Sequence, residues 1–212
     1  MPFSITLGPS AGLLMLALVG TPAQARDGAL PPGSLDELRR NFTLGGSPIP
    51  PFVFRDMGDG NPADIKPILV SVDAWAAIDS NQYAVAVQTR DGWTSQTTQP
   101  SGADKSTETE RYRYLGATPD GLLVAVTVNS TSGGTYAPAT LHVFDAAVAK
   151  AFDPDGKGYD RLDVTTLANY PLGDGWTGKA TLSGDIVTIE TKSGAAFSKA
   201  SGNISTYRIT RP

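Results

Sequence analysis

The pattern of apolar and polar positions divides the chain into three parts. The first 25 residues contain no Asp, Glu, Lys or Arg, and residues 11–19 (Ala-Gly-Leu-Leu-Met-Leu-Ala-Leu-Val) form a continuous nine-residue apolar run. A bilayer span takes about 20 such residues, so this run is too short to cross one. Gly20 and Pro22 stop a helix, and Ala23-Gln24-Ala25 offers the small-x-small pattern that a signal peptidase pocket admits. Charge starts at once with Arg26-Asp27. The pattern predicts a secretory signal peptide over residues 1–25, although its leading region has no basic side chain. The mature protein is then expected to be exported, to the periplasm or the extracellular space. No second long apolar segment follows, so no membrane span is expected in the mature chain.

Residues 26–67 are punctuated by Pro and Gly, with Pro31-Pro32, Pro48, Pro50-Pro51, Pro62 and Pro67, which rules out long regular elements. One short helix is predicted over 34–42. Ser34 and Glu37 have capping-box spacing, and Leu35 and Leu38 share a face. The remainder reads as an extended arm. Its apolar cluster of Ile49, Phe52, Val53 and Phe54 predicts that it packs against the rest of the protein.

From residue 68 to 212 short runs rich in Val, Ile, Thr and Tyr alternate with Asp-Gly and Ser-Gly turns. Strands are predicted at 68–72, 83–89, 111–116, 122–129, 140–144, 162–167, 179–182, 186–191 and 204–210. Residues 96–109 are polar and read as a long exposed loop. Two Ala-rich stretches, 73–78 and 145–152, each open with an Asp that can cap a helix N-terminus, and both are expected to be short helices. Strand, Asp and Ala-rich stretch recur in the same order, as does Asp-Gly-Trp-Thr at 91–94 and 174–177, which is compatible with an internal duplication. Residues 119–125 (Pro-Asp-Gly-Leu-Leu-Val-Ala) resemble the turn between strands of a propeller blade. The fold class expected is mainly β: a single antiparallel β domain, as a sandwich, an open barrel or a small propeller-like array, with one or two short helices.

Composition narrows the chemistry. The formal charge is −4, and the leader carries none of it, so nucleic acid is not an expected partner. There is no Cys, which removes disulfides, thiol nucleophiles and cysteine-metal sites. With a single His, a zinc site of two or three imidazoles is ruled out, and a Ser-His-Asp triad could use only His142, which lies in a predicted strand. No GxSxG, GxGxxG or GxxxxGK[ST] pattern occurs.

Three local patterns could still carry chemistry. Asp153-Pro154-Asp155-Gly156-Lys157-Gly158-Tyr159-Asp160 places Asp153, Asp155 and Gly158 at positions 1, 3 and 6 of a calcium loop. Lys157 stands where a ligand oxygen is wanted, and Val164 where the bidentate Glu belongs, so the choice is between an irregular calcium loop through Asp153, Asp155 and Asp160 and a solvated turn. Asp56, Asp59 and Asp64 form another acidic turn that could line a cation or sugar site. Paired carboxylates could hydrolyse a glycoside, but Glu108 and Glu110 alternate with Thr and Arg and read as solvent-facing. Trp75, Trp93 and Trp176 could stack on sugar rings or anchor the core. Two functions follow. One is a non-enzymatic binding or structural module with a carbohydrate or protein ligand. The other is a carboxylate-dependent hydrolase of an extracellular polymer such as a glycan, with calcium as its only candidate cofactor. The export reading has a direct check: intact-mass measurement of secreted protein should give residues 26–212, and a product that retains residues 1–25 would contradict it.

Overall fold

The computed structural model describes residues 30–57, 69–76, 83–100, 105–191 and 203–211. The predicted signal peptide, residues 1–25, lies outside these, as do Asp59 and Asp64 of the acidic turn. In chain order the elements are α1 (Ser34–Asn41), β1 (Thr43–Leu44), β2 (Ser47–Pro48), α2 (Val53–Asp56), β3 (Leu69–Ser71), α3 (Val72–Ala76), β4 (Gln88–Arg90), β5 (Trp93–Thr97), β6 (Glu108–Ala117), β7 (Leu123–Thr131), β8 (Pro138–Phe152), β9 (Gly158–Asp174), β10 (Lys179–Ser183), β11 (Ile186–Thr191) and β12 (Asn203–Arg208). Strands dominate and every pairing is antiparallel, as the sequence predicts.

Seven strands form one sheet in the order β3-β9-β8-β7-β6-β5-β4. Strands β4 to β9 are a meander of hairpins, and β3 joins the far edge beside β9. The two end strands do not pair, so the sheet is open rather than a closed barrel. Strand β7 explains the layering. Successive strand residues point to opposite faces, and its Leu123 to Val128 are all buried. Leu123 and Ala125 enter one core with Tyr112, Phe144, Ala146, Leu162 and Val164. Val124, Val126 and Val128 enter a second core with Ala139, Leu141 and Val143. A strand with no wet face needs a cover on each side.

The N-terminal arm covers the first face. Leu38, Phe42, Leu44, Ile49, Val53, Phe54 and Met57 are all buried in the first core. Tyr112 and Tyr114 of β6 tie the arm down, their hydroxyls donating to the carbonyls of Ile49 (2.9 Å) and Arg39 (2.6 Å). The second face is covered by a three-stranded sheet, β10-β11-β12, through Ala180, Val187 and Ile189, with Trp176 and Ile209. Trp176 needs the glycine two residues on: a Cβ on Gly178 would overlap the Glu190 carbonyl oxygen and lie 2.6 Å from the indole nitrogen.

Several expectations are corrected. Residues 145–152 are strand, the outer half of β8, not a helix. Fifteen residues of β8 pair with β9, and this ladder outweighs the helix preference of Ala. Asp145 caps no helix; its carboxylate holds Arg211 instead, at 2.6 Å. Residues 96–97 and 108–109 of the predicted loop are strand, in β5 and β6. The arm is not simply extended, since it holds a second helix, α2, and the β1–β2 hairpin. Helix α1 forms where predicted but without a capping box: Gly33 precedes it, no side chain caps it, and Glu37 reaches forward to the Thr43 hydroxyl and the amides of Gly45 and Gly46. One equivalence behind an internal duplication is not met, because the first Ala-rich stretch holds helix α3 and the second is strand. Likewise Asp91-Gly92 turns a hairpin, whereas Asp174 ends β9.

The arm converges on Phe42, which is fully buried and lies within 5.2–5.8 Å, centroid to centroid, of Phe54, Tyr112, Tyr114 and Phe144. Its backbone is held at φ 55°, a conformation an aromatic residue adopts only when its surroundings impose it. Phe42→Ala should therefore cost about 3–5 kcal/mol in urea denaturation. A loss below roughly 1 kcal/mol would mean that the arm is not part of the cooperative core.

Candidate functional site

The first face of the sheet changes character along its strands. On β6, Tyr114 and Tyr112 belong to the core, and the next residue in phase is Glu110, then Glu108. On β7 the sequence Leu123, Ala125 continues to Thr127 and Asn129. On β8, Ala146 and Phe144 continue to His142 and Thr140. The arm covers the apolar end, and α2 stops at its border. Beyond α2 the polar residues line an open cleft of about 570 Å³, within the usual range for a small-molecule site. Phe54 and Arg55 of α2 form one wall. Pro171, Gly173 and Asp174 of β9 form the other, and Tyr136 stands at the rim, 66% exposed.

The floor is a row of polar side chains with almost no solvent contact. Glu110 is only 4% exposed and lies directly between Gln96 of β5 and Asn129 of β7 in the ladder. Burial drives its pKa from 4.5 to about 7, against the opposing pull of Arg55 and a hydrogen bond from Asn129, while Glu108 adds a smaller upward push. Arg55 is engaged at the mouth: its guanidinium meets the Glu108 carboxylate at 2.5 Å and lies 4.1 Å from the centroid of the Phe52 ring. Deeper in, His142 Nε2 and the Thr127 hydroxyl are 2.9 Å apart, and the His142 ring packs 5.1 Å from Phe54. Burial lowers the His142 pKa to about 4, with Asn169 opposite it pulling weakly the other way. At neutral pH this imidazole is uncharged, and it is held between Thr127, Asn169 and Phe54. Asp174 accepts a hydrogen bond from the Ala137 amide at 2.5 Å, which fixes the loop that carries Tyr136.

The residues singled out from sequence are dispersed. Asp153, Asp155 and Asp160 sit at the far end of the β8–β9 hairpin, ten residues along β8 from His142 at about 3.3 Å each. The Asp153 carboxylate accepts the amides of Asp155 (3.0 Å) and Lys157 (2.8 Å), an arrangement that closes the turn. Asp160 is paired with Lys150 at 2.5 Å. Among the described residues no group of three His, Cys, Asp or Glu side chains is placed to hold a metal ion. Trp93 lies between Arg111 and Arg113, each 4.8 Å from its ring centroid, and Trp176 anchors the second core, so neither lines the cleft.

Glu110 is the correction that matters most. Read from alternation with Thr and Arg it faces solvent, but in the fold it is buried. The signal was present: Glu110 is in phase with Tyr112 and Tyr114, the two aromatic residues most suited to a core. Among the described residues no helix is long and apolar enough to cross a membrane. Comparison of the chain with protein-family models, with curated proteins and with solved structures finds no match.

The shifted carboxyl makes stability depend on pH. Between pH 4.5 and about 7 the native state keeps a proton that the unfolded chain has lost, so this group's contribution falls as pH rises through that window and is lost above it. Glu110→Gln removes the effect. At about pH 8 the variant should be more stable than the parent by roughly 1–3 kcal/mol in urea denaturation, the difference vanishing below about pH 4. A difference that did not change with pH would show that Glu110 titrates as a solvated carboxylate.

Proposed function

We propose that this protein is an exported, non-enzymatic binding module that holds a polar small ligand, of saccharide type, in the cleft over Glu110. The observation that carries the reading is Glu110 itself. A carboxyl kept out of water on the floor of an open cleft, flanked by two amide side chains, weakens the fold at neutral pH, and such cost is the mark of a functional site. Asn129, Thr140 and Asp174 supply hydrogen-bond donors and acceptors around it, and the exposed Tyr136 ring offers a stacking surface at the rim. Export rests on the charge-free apolar leader of residues 1–25.

A second reading, hydrolysis of a glycan by paired carboxylates, is favoured by the same residue, since a carboxyl protonated near neutrality can protonate a leaving oxygen. Its partner is the weak point. Glu108 stands two residues from Glu110 on one strand, beside it rather than across a scissile bond, and is bound to Arg55, while Asp174 on the other wall is engaged by the Ala137 amide. The two readings separate in one experiment. Titration with soluble β-1,4-linked oligosaccharides, followed by two-dimensional amide NMR, should shift resonances of Asn129, Thr140 and Tyr136, and Tyr136→Ala should weaken that binding about tenfold without altering stability. The sugar should remain intact, as measured by released reducing ends. Steady release that Glu110→Gln abolishes would establish the hydrolase instead.

A further inference from the structure

We infer that the cleft selects a cationic ligand, one that carries an ammonium group on a hydroxylated body and seats that group over Glu110. The inference rests on the binding reading above and adds the ligand's charge. Its basis is the balance of groups that line the cleft. Three carboxyl groups face it, Glu108 and Glu110 from β6 and Asp174 from β9, against one guanidinium, Arg55 from α2. Arg55 is bonded to Glu108 and also attracts Glu110, so one guanidinium is shared among three carboxyl groups and the lining is short of positive charge. The remaining groups around Glu110 bring no positive charge: Gln96 on β5 and Asn129 on β7 are amides, Tyr136 is a neutral ring, and His142 on β8 is a buried imidazole engaged with Thr127.

A buried carboxyl in this setting has two ways to meet the cost of burial: it keeps a proton, or it meets a cation. A neutral sugar hydroxyl can hydrogen-bond to the protonated form but supplies no charge. An ammonium group replaces the proton and leaves a carboxylate–ammonium contact shielded from water, the stronger of the two interactions. The rim fits the same ligand, because an exposed tyrosine face attracts a cation as well as a sugar ring. Ligand binding and proton release are then coupled, since Glu110 must ionise as the cation arrives.

The test uses three trisaccharides with one β-1,4 backbone that differ only at position 2 of each ring: the glucosamine trimer (ammonium), the N-acetylglucosamine trimer (acetamide) and the glucose trimer (hydroxyl). Each is titrated into the full mature protein by calorimetry and amide NMR at about pH 6, where the amine is charged and Glu110 largely protonated. The glucosamine trimer should bind at least about tenfold more tightly than either neutral trimer, with the gap narrowing as salt screens the charge. Its binding should release protons, seen as a heat that varies with the buffer's ionisation enthalpy. Glu110→Gln should keep the fold, by its NMR spectrum, and lose both the preference and the proton release. Equal binding of all three trimers, or a preference that survives in Glu110→Gln, would overturn the inference and leave the cleft as a neutral saccharide site. Absence of any cleft shift with all three would overturn the binding reading as well.

Discussion

Strand β7 cannot face water on either side, and the rest of the molecule is arranged around that constraint. Its buried residues feed two separate cores, odd positions into one and even positions into the other. A half-wet antiparallel sheet could have stood on a single cover, but this one requires two. The covers come from opposite ends of the chain: the Pro-rich arm on one face and the β10–β12 sheet on the other. Burial of each apolar side chain contributes about 1.5–3 kcal/mol, and a chain without cysteine has no disulfide to add to it.

The cleft is a consequence of where one cover stops. Among the described residues the arm closes the apolar end of the first face as far as α2, and the strands run further. The residues beyond α2 in phase with the core are polar, and among the described residues they are shielded without being fully enclosed. The two titratable groups of the floor respond in opposite directions to this single cause: loss of water raises the Glu110 pKa and lowers that of His142. Between about pH 4 and 7 both groups are therefore largely neutral at the floor. The charge of the site resides at its mouth, in the Arg55–Glu108 pair and Asp174.

The other acidic residues serve turns and edges. Asp153 closes the β8–β9 hairpin through backbone amides, and Asp120 accepts a hydrogen bond from Thr118 at the turn between β6 and β7. Asp163, almost fully buried at the β3 edge, is held by both arms of the Arg161 guanidinium at 2.7 and 2.9 Å. Arg211 links the Asp120 turn to Asp145 of β8, which fastens the end of the chain to the central sheet. In a protein this rich in Asp and Gly, acidic spacing alone resembles a metal loop because the same residues are the best turn formers.

The β class, the antiparallel pairing and most strand positions were legible in the sequence, since period-two alternation between Asp-Gly turns is a local property that pairing only reinforces. So was the docking of the arm, because Ile49, Phe52, Val53 and Phe54 could not stay in water. The outer half of β8 was not legible: residues 145–152 prefer a helix locally, and only the facing residues of β9, in a ladder fifteen pairs long, make them a strand. Strand β5 was hidden for a similar reason, its Thr, Ser and Gln being polar on both faces until β6 supplies its hydrogen bonds. The cleft lay furthest from view. Phase along β6 places Glu110 on the core side, but its isolation from water depends on Gln96, Asn129, Arg55 and Phe54, brought in from β5, β7 and α2. Burial is a sum over neighbours distant in the chain, and so the charge state of Glu110 was decided by tertiary structure alone.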